Sequence, residues 1–232
     1  MPDTLVLLPG LLNDAALWAS QIEELSDLVD EIIVPDLTQF DDMQALATHV
    51  LEELPDRFAL CGLSMGGYVA QEMLRQAPER VEFLALMDTS ARKDSDDQRR
   101  RRKGLIELSE RGRFKGVTPR LLPLLIAEDR LDDESVTAPI FEMTARVGRD
   151  GFIRQQRAIL SRQDQRDLLP SVSVPSLVVC GREDQLTPPE IAEEMADLLP
   201  NSRLVIIEKC GHLPPLEQPE IASALLREWL ED

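Results

Sequence analysis

Short apolar segments rich in Val, Ile and Leu alternate along this chain with segments of helical periodicity. Most of the apolar segments show no polar–apolar alternation, which is typical of strands buried on both faces of a parallel sheet. Alternation of such strands with helices is typical of α/β proteins. We therefore predict an α/β fold with a mostly parallel sheet of about six strands flanked by helices. The strand candidates are residues 4–8, 31–34, 58–63, 81–87, 176–180 and 203–207.

Helical patterns separate these strands and divide the chain into two parts. Between the fourth and fifth strands the sequence carries helix signals and no convincing strand. We predict that residues 1–90 and 171–232 form the core domain and that residues 91–170 form a helical insertion. Core helices are predicted at 42–54, 66–76, 189–199 and 219–230. Helices of the insertion are predicted at 97–111, from Thr118-Pro119 onward, at 138–147, and from a cap at Asp150 to residue 162.

The charge and the cysteines of the chain limit its partners and its location. The formal net charge is -18, which repels phosphate backbones and argues against a nucleic-acid partner. Cys61, Cys180 and Cys210 lie in or beside apolar runs and indicate buried, reduced thiols. No segment approaches the ~20 apolar residues that span a bilayer, and the first residues lack the basic region of a signal peptide. We therefore expect a cytoplasmic protein, with a monomer as the default assembly.

Residues 62–67, with the sequence GLSMGG, directly follow the third strand and directly open a helix. A nucleophile elbow of the G-x-S-x-G type requires this context. Gly62 and Gly66 let the strand and the helix approach closely, so that Ser64 lies beyond the carboxyl edge of the sheet at the positive end of the helix. A Gly-rich turn with an incidental serine is the alternative. The flanking strand and helix favour Ser64 as the nucleophile.

A serine nucleophile needs an adjacent base, and the chain contains only two histidines. His49 lies inside a predicted helix and off its apolar stripe, which is typical of a solvated surface residue. His212 follows the last strand in the segment CGHLP, at the carboxyl edge where ligand sites of parallel sheets form. A structural turn histidine is the alternative for this position. The placement predicts His212 as the base.

Three carboxylates are candidates for the acid that orients the histidine. Asp184 follows the fifth strand. Proteins with a G-x-S-x-G elbow carry the serine, the acid and the histidine in this order along the chain, and Ser64, Asp184 and His212 keep that order. Asp88 ends the fourth strand and lies at the same predicted edge, and Glu183 adjoins Asp184. We predict Asp184 as the acid, with Asp88 and then Glu183 as alternatives.

Acyl transfer also requires donors for the developing oxyanion. The first strand ends in a turn at Pro9-Gly10, after which the backbone N–H of Leu11 is available. The N–H of Met65 follows the predicted nucleophile. We predict that these two N–H groups form an oxyanion hole, the alternative for Pro9-Gly10 being an ordinary loop start.

Several other residues give weaker signals. Trp18 and Tyr68 are candidates for a substrate pocket, as are Phe152 and Gln156 on the last helix of the insertion, where core packing is the alternative. The basic run Arg99–Lys103 predicts a solvated helix face, with a docking site for an anionic substrate or acidic carrier protein as the alternative. The sequence has no paired Cys/His spacing, so we expect neither a metal nor a cofactor.

Together, these motifs resemble the α/β-hydrolase family, especially its small capped carboxylesterase and lactonase-type members. The resemblance rests on residues 7–12 with Trp18, the elbow at 62–67, residues 181–184 with Thr187-Pro188, and Gly211-His212. It implies that the helical insertion is a cap over the active site. The chain departs from the family in carrying Pro9-Gly10 where many relatives carry His-Gly. It also begins almost on its first strand, so the antiparallel strands that often open the family's sheet are not expected.

These inferences lead to a predicted function. We expect a serine hydrolase that acts on a small carboxylic ester through an acyl-enzyme intermediate. Lactonase, thioesterase, C–C hydrolase and lyase activities use the same apparatus and remain alternatives. A member of the fold that binds a small molecule without catalysis is the alternative from another class.

Overall fold

The computed structural model describes residues 2–231 and contains, within them, one parallel sheet of six strands in the order β2-β1-β3-β4-β5-β6. The predicted α/β class is confirmed, and every strand lies within one residue of its predicted bounds. The strands are β1 (Thr4–Leu8), β2 (Glu31–Ile33), β3 (Phe58–Leu63), β4 (Val81–Met87), β5 (Ser176–Gly181) and β6 (Ser202–Ile207).

The pleat of the central strands divides the core into two apolar layers. Val6 and Leu8 of β1 lie in the layer that packs under helices on one face, whereas Leu5 and Leu7 lie in the layer on the other face. All four side chains are fully buried, which explains why this strand has no polar alternation.

Helices cover both faces of the sheet, as the periodic segments predict. Helices α2, α3 and α6 contribute to one layer and α8 to the other, with α1 packed against α8. The short helices α1 and α7 were not predicted from the sequence. The helices of the core are α1 (Ala19–Glu24), α2 (Met43–Glu53), α3 (Met65–Gln76), α6 (Pro189–Leu198), α7 (Pro214–Glu217) and α8 (Pro219–Glu231).

The segment between β4 and β5 contains helices and turns, and no strand occurs among its described residues. Its first helix, α4 (Asp96–Leu108), begins after Ser95, whose side chain accepts a hydrogen bond from the backbone N–H of Gln98. A wider helical turn continues through Gly112, which adopts φ 73°. The left-handed conformation of Gly112 ends the helix in the region that the sequence predicts.

The predicted helix that begins at Thr118-Pro119 is wrong. This stretch forms turns and a short 3₁₀ segment, Leu122–Leu124. An α-helix through this stretch would require the N–H of residue 123 to bond to the carbonyl of residue 119, and Pro123 has no N–H. The prolines therefore restrict the stretch to turns.

The two helices predicted around Gly148 are the two halves of α5 (Glu134–Ser161). The helix begins four residues before the predicted bound, because Asp133 caps it by accepting a hydrogen bond from the N–H of Ser135. Gly148 interrupts it with φ 65°. Asp150 does not act as the predicted cap; its carboxylate pairs with Arg149 at 2.8 Å. No helix within residues 2–231 is both long enough and apolar enough to span a membrane.

Candidate active site

The site lies at the carboxyl edge of the sheet, between β1 and β3. The chain leaves β1 toward β2 on one side and later returns to β3 on the other, so the loops after β1 and β3 separate there. Leu8 of β1 pairs with Gly62 of β3, and this register places the two loops side by side. A Cβ built on Gly10 would lie 3.4 Å from the Cβ of Ser64.

Ser64 occupies a sharp turn between β3 and α3 with φ 54° and ψ -113°. A positive φ is costly for a residue other than glycine and persists at functional sites where the surroundings enforce it. The surroundings here are tight: a Cβ on Gly62 would meet the carbonyl oxygen of Gly66 at 2.5 Å, and one on Gly66 would meet that of Leu8 at 2.2 Å. Both glycines are therefore required for the turn that presents Ser64.

The structure brings Ser64, His212 and Asp184 into one hydrogen-bonded series. Nε2 of His212 lies 2.8 Å from Oγ of Ser64, and Nδ1 lies 2.8 Å from Oδ2 of Asp184. His212 and Asp184 are buried, whereas Ser64 is half-buried. A carboxylate beside Nδ1 fixes the proton on that nitrogen, so Nε2 is the atom that accepts the hydroxyl proton.

Asp184 is held in its charged form. Burial by itself raises the pKa of a carboxyl group, but the charge and the N–H of His212 act in the opposite direction. The hydroxyl of Thr187 donates to Oδ2 at 2.7 Å, and the N–H groups of Leu186 and Thr187 donate to Oδ1 at 2.8 and 3.1 Å. These contacts hold the pKa of Asp184 well below its ordinary value. A carboxylate that stays ionised is able to stabilise an imidazolium.

The other two acid candidates lie elsewhere. Glu183 is exposed and adjoins Asp184 only in sequence. Asp88 is buried at the end of β4, where its Oδ1 accepts a hydrogen bond from the N–H of Gly181 at 2.8 Å. Burial and the neighbouring charge of Asp184 raise the pKa of Asp88 well above its ordinary value. Asp88 is thus placed against the acid rather than against the histidine.

A buried glutamate that the sequence analysis missed holds the loop of His212. Glu217 accepts hydrogen bonds from the N–H groups of Gly211 and Leu213, each at 2.9 Å, and from that of Ala127 at 2.7 Å. Burial raises the pKa of Glu217, and the three N–H groups oppose that rise. Because Ala127 lies in the segment between β4 and β5, Glu217 joins that segment to the histidine loop.

Two backbone N–H groups of the loops after β1 and β3 bear on the predicted oxyanion hole. Neither the N–H of Leu11 nor that of Met65 has a hydrogen-bond partner within residues 2–231. The next N–H along the first loop, that of Leu12, is occupied by Oε1 of Gln155 at 3.0 Å. Both N–H groups are therefore available as hydrogen-bond donors at this edge of the sheet.

One group of side chains has metal-ligating atoms close together. Within the described part of the chain, ligand atoms of Asp88, Cys180 and Asp184 lie within 4.8 Å of one another. Burial raises the pKa of both Asp88 and Cys180, so both hold their protons, and Asp184 is engaged by His212. This donor set fits hydrogen bonding better than it fits a metal ion.

Besides this geometry of the site, the sequence itself matches a family model. The model describes the alpha/beta hydrolase fold and matches residues 3–219, which is nearly the whole chain. The chain belongs to the α/β hydrolase fold family.

Several known proteins are similar to this hydrolase. A thermophilic esterase from Thermogutta terrifontis is 34% identical, with a TM-score of 0.91 over 98% of this chain and 89% of that one. A pimeloyl-[acyl-carrier protein] methyl ester esterase from Vibrio campbellii is 27% identical over 84% of this chain and 81% of that protein. An enol-lactonase from Burkholderia xenovorans, at 23% identity with a TM-score of 0.82 over 100% of this chain and 92% of that one, shares the fold.

The predicted pocket residues of the hydrolase differ in their surroundings. Trp18 is fully buried in the core layer that also contains α8. Tyr68 is buried under the guanidinium of Arg162, which lies 4.1 Å from the ring centroid. The ring of Phe152 packs against that of Phe114, with 5.2 Å between centroids. These contacts are those of packed side chains.

On helix α5, two adjacent glutamines have different partners. Oε1 of Gln156, the predicted pocket residue, accepts a hydrogen bond from Arg102 at 2.8 Å. Gln155, which was not predicted, contacts the loop after β1 through Leu12. The helical periodicity places both on the buried side of α5 and does not indicate which of them reaches the catalytic edge.

Two arginines of the basic run Arg99–Lys103 are engaged by neighbouring groups, whereas Arg100, Arg101 and Lys103 are exposed. Arg99 donates to the carbonyl oxygen of Leu160 at 2.8 Å, and Arg102 pairs with the buried Asp94 at 2.8 Å. Arg100 pairs with Asp97 on the same helix. Arg99 and Arg102 therefore help to pack α4, whereas the other three side chains lie on a solvent-exposed face of the helix.

Proposed function

We propose that this hydrolase cleaves small carboxylic esters through an acyl-enzyme intermediate on Ser64. The contact that carries the proposal is the 2.8 Å separation between Nε2 of His212 and Oγ of Ser64. It pairs a poor nucleophile with a base whose tautomer is set by Asp184. The likeness to an esterase of 34% identity along nearly the full chain supports the same reaction class.

In the first half-reaction, Oγ of Ser64 attacks the ester carbonyl carbon while Nε2 of His212 takes the hydroxyl proton. The carbonyl oxygen becomes an oxyanion, to which the N–H groups of Leu11 and Met65 donate. Asp184 stabilises the imidazolium without taking its proton. The tetrahedral intermediate then collapses, His212 gives the proton to the alkoxy oxygen, and the alcohol leaves Ser64 acylated.

In the second half-reaction, water replaces the alcohol. Nε2 of His212 takes a proton from the water as its oxygen attacks the acyl carbon, and the same two N–H groups receive the oxyanion. Collapse of this intermediate breaks the bond to Oγ, and His212 returns the proton to Ser64. The products are a carboxylic acid and the regenerated enzyme.

We also propose that residues 91–170 act as a cap on a core formed by residues 1–90 and 171–232. Three contacts of the insertion with the catalytic edge support this assignment. The carbonyl of Leu125 accepts a hydrogen bond from the N–H of His212 at 2.9 Å, Ala127 donates to Glu217, and Gln155 accepts from Leu12. A segment with these contacts is placed to limit the size of the substrate.

Free esters fit this molecule better than esters carried on an acidic protein. The net charge of -18 repels an acidic carrier, and Arg99, Arg100 and Arg102 are paired within the insertion. The related methyl ester esterases act, by their names, on a carrier-linked substrate. We therefore infer that the present chain differs from them in acting on esters that are not attached to an acidic carrier protein.

A cytoplasmic location is part of the proposal. Cys61, Cys180 and Cys210 are buried as free thiols, and burial raises the pKa of each. Unpaired cysteines are typical of reducing compartments.

Hydrolysis of p-nitrophenyl butyrate by the wild type and by Ser64→Ala tests the proposed activity. We expect release of p-nitrophenol by the wild type and loss of nearly all of it in Ser64→Ala, with unchanged circular dichroism. Ser26→Ala is the matched control, because Ser26 is an exposed serine on the surface. Wild type that cleaves no short acyl ester, thioester or lactone would contradict the proposal, as would an active Ser64→Ala.

A further inference from the structure

Asp88 carries a buried carboxyl group that the proposed reaction does not use. It follows β4 with φ 42° and is 1% exposed. Its Oδ1 accepts the N–H of Gly181 at 2.8 Å, whereas its Oδ2 is shielded from solvent and accepts no hydrogen bond from a donor within residues 2–231. A buried polar atom left without a partner is costly and therefore calls for a physical explanation.

The charged groups that act on Asp88 among the described residues are carboxylates rather than cations. Carboxylate oxygens of Asp88 and Asp184 and the sulfur of Cys180 lie within 4.8 Å of one another. The charge of Glu217 also acts on Asp88. Cys180 and Cys210 are neutral, because burial raises the pKa of both thiols. His212 is the nearby base, and its Nδ1 is engaged by Asp184.

Two buried carboxyl groups at this separation do not both ionise. Asp184 has three protein donors in addition to His212, whereas Asp88 has one backbone donor. The negative charge therefore resides on Asp184 and the proton on Asp88. Because Oδ1 of Asp88 already accepts an N–H, the proton belongs on Oδ2.

We propose that Asp88 is a positioning residue of the active site: a neutral carboxylic acid whose Oδ2–H donates a hydrogen bond to the carboxylate of Asp184. The proposal rests on the catalytic roles proposed above for Ser64, His212 and Asp184. A donor without charge restrains Asp184 and leaves the attraction between Asp184 and the imidazolium of His212 intact. An ionised Asp88 would instead add a second negative charge beside the histidine.

Replacement of Asp88 separates the neutral state from the charged one. Asp88→Asn keeps an acceptor for Gly181 and an N–H donor for Asp184, so we expect kcat/KM within about threefold of wild type and an acid limb of the pH profile at the same position. Asp88→Ala removes the donor, and we expect kcat to fall about tenfold at nearly unchanged KM. Wild-type kcat in Asp88→Ala would overturn the positioning role.

If Asp88 is ionised, the acid limb of the pH profile is expected to lie at a different pH in Asp88→Asn than in the wild type. Loss of a negative charge beside His212 would move the acid limb of kcat/KM to lower pH by about one unit or more. That displacement would overturn the proposal. Asp88→Leu fills a similar space without a hydrogen-bond donor, so wild-type kcat in that variant would show that the residue only fills space and would overturn the proposal.

Infrared spectroscopy provides a readout that does not depend on activity or on Asp88→Ala folding. The difference spectrum between wild type and Asp88→Asn at pH 7 is expected to contain the C=O band of a protonated carboxylic acid. A spectrum with only carboxylate bands would overturn the proposal. An inactive protein that shows the acid band would contradict the esterase function alone, whereas an active esterase without the band would contradict only the role of Asp88.

Discussion

Oε1 of Gln155 accepts a hydrogen bond from the backbone N–H of Leu12 at 3.0 Å, across 143 residues of sequence. Leu12 adopts φ 62°, a conformation that a leucine holds only when its surroundings enforce it. The donor proposed for the oxyanion, Leu11, is the preceding residue. Helix α5 is therefore joined directly to the loop that carries the proposed oxyanion donor, and Gln155 is fully buried at this junction.

Gln155→Leu is expected to slow the chemical step. Without the acceptor, Leu12 loses its restraint and the N–H of Leu11 is less well oriented. Complete loss of an oxyanion donor costs ~10²–10³ in kcat, so we expect a smaller fall in kcat with KM little changed. Steady-state kinetics with p-nitrophenyl butyrate provide the measurement. Gln156→Leu, which loses a contact with Arg102 instead, is expected to keep wild-type kcat; equal effects of both variants would contradict the role of Gln155.

Asp184→Asn is expected to lower kcat by about 10⁴-fold while the fold is retained. The amide places an N–H where Nδ1 of His212 needs an acceptor, so the wrong nitrogen carries the imidazole proton. Single-turnover kinetics would measure the acylation rate directly. Glu183→Gln, at the exposed neighbouring position, is the control and is expected to match wild type. A crippled Glu183→Gln beside an active Asp184→Asn would reverse the assignment.

Glu217→Gln is expected to affect stability and catalysis together. Three backbone N–H groups converge on this buried carboxylate, and an amide turns an NH₂ group toward at least one of them. The free energy of unfolding is expected to fall by about 1–3 kcal/mol. Denaturant titration measures that fall, and kcat is expected to decline because the His212 loop loosens. Glu220→Gln, an exposed change on α8, serves as the control; identical unfolding curves for the two variants would contradict this role.

The stability gained from Asp88→Asn is expected to grow with pH. Asp88 is protonated in the folded state because its pKa is raised, whereas an unfolded aspartate ionises above about pH 4. Between these two pKa values unfolding releases a proton, so the free energy of unfolding of the wild type falls as the pH rises. Asparagine has no proton to release. Melting temperatures at pH 5 and pH 8 are expected to show a larger advantage for the variant at pH 8, and a constant difference would contradict the neutral state.

The fold and the catalytic edge follow from local features of the sequence. Buried parallel strands are continuous apolar runs, so their bounds can be predicted from the sequence. The residues that follow such strands, among them Ser64, Asp184 and His212, lie at one edge of the sheet. Gln155 and Glu217 were missed because their roles depend on backbone N–H groups far away in sequence. Helix periodicity identifies a buried face but gives no partner for it. The turns after Thr118 were mispredicted because Pro123, which has no N–H, outweighs the cap signal of Thr118-Pro119.

The proposed reaction depends most directly on Ser64 being a nucleophile activated by His212. A fluorophosphonate reacts with an activated nucleophile, which forms a bond to phosphorus as fluoride leaves. Peptide mass spectrometry then identifies the labelled residue and measures the rate of labelling. We expect one adduct, on the peptide that contains Ser64, formed slower by several orders of magnitude in His212→Gln and at the wild-type rate in His49→Gln. An adduct on another residue, or equal labelling rates in His212→Gln and wild type, would contradict the activation of Ser64 by His212.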